Sequence, residues 1–267
     1  MRTNLEEIFE DRKISLMEQI ASVGILESIN RGHSQTLAEV IKKKEGFSII
    51  SEIKLASPSL ANINNEMDVV QVAQIMEEAG VVGISVLTEP NFFKGSFSNL
   101  KLISEITSVP LLMKDFVFNN FQFKVAQAYG ASNILLINKL GNLETMYSLA
   151  LDHNLEPLIE IHNKEEIKDL IHLEDIGLKP KLVGVNNRNL ETMKIDLNTS
   201  QKLIPKVKET LGDETIVISE SGINTMSDIT NLLPCLADGF LIGSSIMKAE
   251  NIRDQILKLR GLIEWSI

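Results

Sequence analysis

The chain has 267 residues, of which 44% are hydrophobic and 23% charged, so it suits two ordinary domains or a single α/β barrel with a sizeable core. A formal net charge of -10 argues against general nucleic-acid binding, while leaving room for a local basic pocket that takes an anionic ligand. One cysteine, Cys235, excludes an intramolecular disulfide; with no apolar run long enough to span a bilayer and no leader-like start, the expectation is a cytoplasmic protein without a membrane partner.

Residues 1–45 read as a helical extension. Thr3 with Glu6 and Thr36 with Glu39 have capping-box spacing, and Leu5, Ile8 and Phe9 form an apolar stripe. The extension is expected to lie over the bottom or side of the main fold, with a separate interaction module as the alternative. From residue 46 to 267, apolar runs recur at 47–53, 81–87, 109–113, 133–137, 156–161, 181–185, 215–218 and 239–242. Most are continuous rather than alternating, as in parallel strands covered on both faces. Between them, 67–79, 143–151, 164–173, 199–207 and 251–263 have helical period. Gly80, Gly130, Gly177 and Gly239 stand where a helix hands over to the next strand, a C-cap role. Eight strand–helix units without a low-complexity linker predict one (β/α)8 barrel. A doubly wound open sheet is the competing fold, but no early strand is followed by a glycine-rich nucleotide turn.

Several runs carry a charge at or near their end, which a buried strand gains nothing from, because desolvating an unpaired charge costs several kcal/mol. Glu52 and Lys54 share a parity in the first run, so both point to one face. Lys114 ends the third, Glu160 lies in the fifth, Asn186 and Arg188 follow the sixth, and Glu220 closes the seventh. Converging strand ends are how such a barrel builds a catalytic face. The bland alternative, ordinary ion pairs at a rim, weakens as the number of coincident positions grows. After the seventh and eighth runs, Gly222 and Gly243 permit close backbone approach, with Ser221, Ser244 and Ser245 as donors. Phosphates bind at that place in many barrels, aided by a short extra helix, here 244–248.

These residues resemble the indole-3-glycerol phosphate synthase family. The likeness is carried by Glu52-Ile53-Lys54, Ser57-Pro58-Ser59, Phe92-Phe93, Lys114-Asp115-Phe116, Glu160-Ile161-His162, Asn186-Asn187-Arg188-Asn189-Leu190, Ser219-Glu220-Ser221-Gly222 and Gly243-Ser244-Ser245. The chain departs from the pattern at Leu55, a position usually basic, and at Leu60-Ala61, both in the first loop. The resemblance implies a small phosphorylated, anthranilate-derived substrate, no cofactor and no metal. It implies Lys114 as the acid that protonates the alkoxide of ring closure, Glu52 as its orienting partner and Glu160 as the base. Lys54 is either a second acid or the holder of the substrate carboxylate. Ser57, Pro58, Asn186, Arg188, Glu220 and Ser221 would contact the polar parts of the substrate. Phe93, Phe116, Leu135, Leu190 and Leu241 would form apolar walls, and Gly222, Gly243 and Ser244 would hold the phosphate. Removing Lys114 is expected to leave stability intact.

Rival functions are a phosphoribosylanthranilate isomerase, which relies on a strand-one cysteine absent here, and a catalytically dead barrel, which would have lost Lys114 or Glu160. His33, His153, His162 and His172 show no metal-ligand spacing, and His162 reads as structural. Cys235 and Trp265 read as packing residues, and the acceptor motif Asn198-Thr199-Ser200 is irrelevant without secretion. No second barrel is expected to be fused to this one, and a homo-oligomer stays open.

Overall fold

The apolar runs become eight parallel strands that close into a barrel in chain order, β1 pairing with β8. They are β1 Ser48–Ile53, β2 Gly83–Leu87, β3 Leu111–Lys114, β4 Asn133–Ile137, β5 Glu156–Ile161, β6 Leu182–Asn186, β7 Ile216–Glu220 and β8 Gly239–Ile242. The structure is a computed structural model and describes residues 5–22, 26, 35–56 and 67–262. Ser57, Pro58, Leu60, Ala61, Thr3, His33 and Trp265 lie outside the described residues.

Side-chain alternation along each strand makes two cores. Ile50, Leu112, Leu135, Leu158, Leu182, Ile218 and Leu241 pack inside the barrel. Their neighbours Ile49, Met113, Ile134, Ile159, Val183, Val217 and Phe240 pack outward with the helices. Glu52, Lys114, Glu160, Asn186 and Glu220 continue the inward parity of their strands. Three strands outrun their apolar stretch, because β3, β6 and β7 include Lys114, Asn186 and Glu220. The ladder persists there, with Leu87 opposite Lys114 and Asn186 opposite Glu220. A reading by apolarity stops at the last apolar side chain, whereas backbone pairing does not.

Around the barrel run α3 Val69–Glu78, α4 Phe97–Ser104, α5 Asn120–Ala128, α6 Leu143–Asp152, α7 Ile167–Asp175, α8 Asn198–Leu211, α9 Met226–Leu232, α10 Ser244–Met247 and α11 Ile252–Leu259. The segment 164–173 begins as a 3-10 turn, Lys164–Glu166, before α7. Helices α4, α5 and α9 have no counterpart among the periodic segments, yet each has a side-chain N-cap: Ser96, Asn119 and Thr225. Gly80, Gly130 and Gly177 adopt positive φ just after α3, α5 and α7, as a C-cap requires. Gly239 does not. It opens β8 in ordinary strand geometry, and a Cβ there would lie 3.0 Å from Ser48 O, so it serves close packing of β8 on β1.

The extension reaches both ends of the barrel. α2 (Leu37–Lys42) closes the bottom, placing Leu37, Ala38 and Ile41 in the inner core. Its capping box from Thr36 and Glu39 forms. Its first amides are satisfied by the barrel itself: Leu37 N donates to Asn133 Oδ1 at 3.0 Å and Ala38 N to Glu156 Oε1 at 3.1 Å. α1 (Leu5–Ser22) instead lies at the opposite, C-terminal rim, which corrects the expectation of a bottom or side lid for this helix. Arg12, fully buried, makes a bidentate pair with Asp115 at 2.8 Å for each bond, and Thr88 Oγ1 donates to the same carboxylate. The residue that anchors α1 thus directly follows Lys114.

Candidate active site

Glu52 sits at the centre of the charged rim. Its Oε1 lies 2.6 Å from Lys54 Nζ and its Oε2 lies 2.7 Å from Lys114 Nζ, so one carboxylate grips two ammonium groups. Burial pushes the Glu52 carboxyl up, but the two lysines outweigh burial and hold it down at about 2. For Lys114 the senses are reversed. Burial lowers its pKa, while Glu52, Glu220 and Glu160 raise it above the ordinary lysine value. The ammonium is therefore loaded with its proton at neutral pH.

Glu220 behaves differently. It is fully buried, neither carboxylate oxygen makes a hydrogen bond among the described residues, and Lys114 Nζ stands 3.6 Å away. Burial raises it, Lys114 pulls it back, and Glu160 and Glu52 push it up again, to about 8. Its environment therefore favours the protonated form more than that of Glu52 or Glu160 does. Two glycines make room for these groups: a Cβ at Gly184 would collide with Glu220 Oε1, and one at Gly243 would lie 2.6 Å from Glu52 Oε1. Gly243 therefore serves the carboxylate as well as the cavity it lines.

Glu160, one residue short of the end of β5, has one oxygen hydrogen-bonded and the other in an ion-pair contact outside hydrogen-bond geometry. Asn186 Nδ2 donates to Oε2 at 3.0 Å, and His162 Nε2 lies 3.0 Å from Oε1. Burial raises this carboxyl too, but His162, Lys114 and Asn186 together hold it below its usual range.

Above the rim opens a cavity of about 310 Å³. Lys54, Lys114, Glu52, Glu160, Asn186 and Arg188 supply its polar floor. Phe93, Phe116, Leu135, Leu190 and Leu241 supply apolar walls, with the rings of Phe93 and Phe116 centred 6.3 Å apart. Ser221, Gly222, Gly243 and Ser244 line one side. Among the expected site residues, Glu220 is not among those lining this cavity; it is fully buried, with Oε2 3.6 Å from Lys114 Nζ. The cavity also takes side chains with no sequence signal for it: Leu5 and Ile8 from α1, Met193 and Ile195 from the loop after β6, and Lys248.

The loops are held by buried polar side chains. Glu89 accepts from the amides of Asn91, Phe92 and Phe93 at 2.7 to 3.0 Å, which fixes Phe93 against the cavity. Asn187 Nδ2 donates to Ser219 Oγ, Glu220 O and Ser221 O at 3.0 Å each, tying the loop after β6 to the end of β7. Asn186 Oδ1 accepts from Arg188 N at 2.9 Å, so one side chain orients both Glu160 and the turn carrying Arg188. Ser221 and Gly222 both have positive φ, at 68 and 85 degrees. A non-glycine residue there stores strain of about 1–3 kcal/mol, a cost met in functional turns. Among the described residues no cluster of His, Cys, Asp and Glu is arranged to hold a metal ion, and no helix is long and apolar enough to cross a membrane.

Comparison with known proteins agrees with this geometry. Solved structures with the same fold include a 3-hexulose-6-phosphate synthase (TM-score 0.61, 16% identity, covering 82% of this chain and all of that one). Another is a tryptophan synthase alpha-subunit from Pyrococcus furiosus (TM-score 0.62, 15% identity, 80% of this chain and 98% of that one). At such identities they speak to the fold alone. Sequence relatives are closer. The indole-3-glycerol phosphate synthase of Aquifex aeolicus is 41% identical over 219 residues, covering 81% of this chain and 82% of that one. The enzyme of the same name from Bacillus cereus is 36% identical over 256 residues, covering 95% and 96%. The family model for indole-3-glycerol phosphate synthase matches residues 5–259, from α1 through α11, and the chain belongs to that family.

Proposed function

We propose how this chain's side chains divide the reaction of its family. That reaction is a carboxy-lyase step of tryptophan biosynthesis. It closes the ring of 1-(2-carboxyphenylamino)-1-deoxyribulose 5-phosphate, releases carbon dioxide and removes water to give indole-3-glycerol phosphate. The observation that carries the assignment is the carboxylate of Glu52 holding two ammonium groups at the floor of an apolar-walled cavity.

Ring closure turns the substrate ketone into an alkoxide, which is far more basic than an amine, so a positioned ammonium transfers its proton downhill. Lys114 fills that role, and Glu52 fixes its Nζ with a charge-assisted bond. Glu220 supports Lys114 from 3.6 Å away. Carbon dioxide then leaves and the ring regains aromaticity. The final step withdraws the anilino proton as the hydroxyl leaves as water, after which a proton is lost from the adjacent ring CH2 and nitrogen is reprotonated to give the indole. Glu160, kept ionised, takes the first proton; Lys54 protonates the leaving hydroxyl or holds the departing carboxylate. Phe93, Phe116, Leu135, Leu190 and Leu241 hold the aromatic ring and exclude water. Ser57 and Pro58 belong to the same proposal as first-loop contacts. Gly222, Gly243 and Ser244 hold the phosphate beside Ser221. A cytoplasmic location without a membrane partner belongs to the same proposal, and the net charge of -10 disfavours nucleic acid as a partner.

Lys114→Met tests the central role. Its turnover, followed by the fluorescence of the indole product, should fall by about 10²–10⁴, with substrate affinity changed less. Turnover within about threefold of wild type, well short of the general-acid range, would move the acid to Lys54. Stability is expected to fall rather than hold, because Lys114 neutralises Glu52 and faces Glu220 and Glu160 in a buried site. For the phosphate, replacing Gly243 by Leu is not a clean probe, since it would also displace Glu52. Ser244→Asp sets like charge against the phosphate without that clash. It should raise KM about tenfold, an effect of about 1.4 kcal/mol, with turnover nearly unchanged; an unmoved KM would place the phosphate elsewhere.

A further inference from the structure

We infer that His162 is a positioning residue for Glu160: a charged imidazolium, wedged between Glu160 and Glu166, that fixes the orientation of the base's carboxylate and keeps it ionised. The inference rests on the reading of Glu160 as the base.

His162 Nε2 lies 3.0 Å from Glu160 Oε1, an ion-pair contact whose angle falls outside hydrogen-bond geometry, and on the other side of the ring Nδ1 lies 3.5 Å from Glu166 Oε2. The His162 and Glu160 side chains are 6% and 3% exposed, so neither charge has water to fall back on. Glu166 is itself held, because Asn163 Nδ2 donates to its Oε1 at 2.6 Å and His162 N to its Oε2 at 3.3 Å. The 3-10 turn that replaces the first turn of the expected helix is what brings Glu166 back over the strand end.

A buried imidazole flanked by two carboxylates is stabilised as the cation, and an opposite charge within about 4–6 Å stabilises the ionised carboxylate in turn. Burial pulls His162 down, but Glu160 and Glu166 outweigh it and hold the ring up at about 9. The groups that face the pair from other elements are Lys114 on β3, Asn186 on β6 and Glu220 on β7. Lys114 assists His162 in keeping Glu160 charged. Asn186 holds the second oxygen without charge, so His162 and Lys114 share the electrostatic load. Among the described residues only His162 is within ion-pair distance of Glu160. Without that charge, Glu160 would lean toward the neutral form that its burial favours.

His162→Gln keeps a polar side chain but removes the charge. In single-turnover measurements of product formation against pH, the acidic limb should move up by about one to three pH units. Sufficiently high pH should restore most of the rate, as a packing defect would not allow. Glu160→Gln, measured alongside, separates the role of His162 from the role of the base. If Glu160→Gln abolishes turnover and His162→Gln leaves the acidic limb in place, the positioning role is overturned. If Glu160→Gln retains wild-type turnover, the base reading fails first. Should the His162→Gln chain not fold, the wild-type enzyme still decides the matter by NMR. The His162 ring must be doubly protonated at pH 7.5, and a neutral tautomer there would overturn the proposal.

Discussion

Glu156 and Glu160 lie on the same strand, face the same barrel interior and are both buried, yet their surroundings differ in kind. Glu156 is met by neutral donors. Ala38 N and Asn133 Nδ2 donate to its Oε1 at 3.1 and 3.0 Å, and Thr36 Oγ1 to its Oε2 at 2.8 Å. It joins α2 to the barrel floor, at the end away from the cavity. Glu160 has one neutral donor, Asn186, and one ring 3.0 Å away that carries charge, with open cavity above. A buried carboxylate satisfied by fixed neutral donors is a fastener. One held by cations at the edge of a cavity is kept ionised, with room for a substrate group to approach it. The two ends of the barrel therefore place the same residue type in environments suited to opposite tasks.

The exchange of each carboxylate for its amide should break that symmetry most sharply. Glu160→Gln is expected to cut turnover by about 10²–10⁴ through loss of the base. Glu156→Gln should leave turnover within about threefold, well below that range. It should instead lower stability by about 1–3 kcal/mol, because an amide nitrogen cannot accept the donor facing it and leaves a buried group unpaired. Urea unfolding and steady-state kinetics on the same two variants would check both halves. A Glu156→Gln enzyme slowed as much as Glu160→Gln would erase the distinction between the ends.

Next in size is the anchor of α1. Arg12→Ala leaves Asp115 as a buried carboxylate with only Thr88 Oγ1 and the Phe116 amide as donors. Breaking a buried pair from one side costs about 3–5 kcal/mol. Leu5 and Ile8 reach the cavity from the same helix, so KM should rise along with the loss of stability. A variant with unchanged urea midpoint and unchanged KM would show that α1 is held by apolar contacts alone.

Much of the rim was readable because a charge at the end of an apolar run is an anomaly that needs no partner to be noticed. Glu52, Lys54, Lys114 and Glu160 each stand out from their own few neighbours. Arg12 could not be found that way. Its partner lies 103 residues on, and an arginine on an amphipathic helix normally points to water. His162 has no metal-ligand spacing to single it out, and its second carboxylate neighbour, Glu166, follows it through a 3-10 turn that no helical period announces. The short helices α4, α5 and α9 span only seven to nine residues, and α4 and α5 bury polar Ser104 and Gln122 among their apolar positions, although Ser96, Asn119 and Thr225 mark their starts. Gly184 shows the remaining limit: its missing side chain is explained by Glu220, on the neighbouring strand.

The last effect expected is a slope rather than a loss, and it compares Glu220 with Glu52. Glu52 is held down at about 2, so its share of stability is present above the unfolded value near 4.3 and disappears as pH falls through about 2. Glu220 is pushed up to about 8, so between about 4.3 and 8 the folded chain keeps a proton that the unfolded chain has released. Folding then takes up a proton, and stability falls as pH rises across that window, levelling off above it. His162, held up at about 9, adds a fall of its own above about 6.5 in wild type and variant alike. Glu220→Gln mimics the neutral acid and removes only the Glu220 contribution. Urea unfolding at pH 5, 7 and 9 should therefore show the variant gaining on wild type from pH 5 to pH 9, with most of the gain made by pH 8. Parallel stability curves across the series would mean that Glu220 is ionised throughout, and that the charge on Lys114 is balanced by two carboxylates rather than chiefly by Glu52.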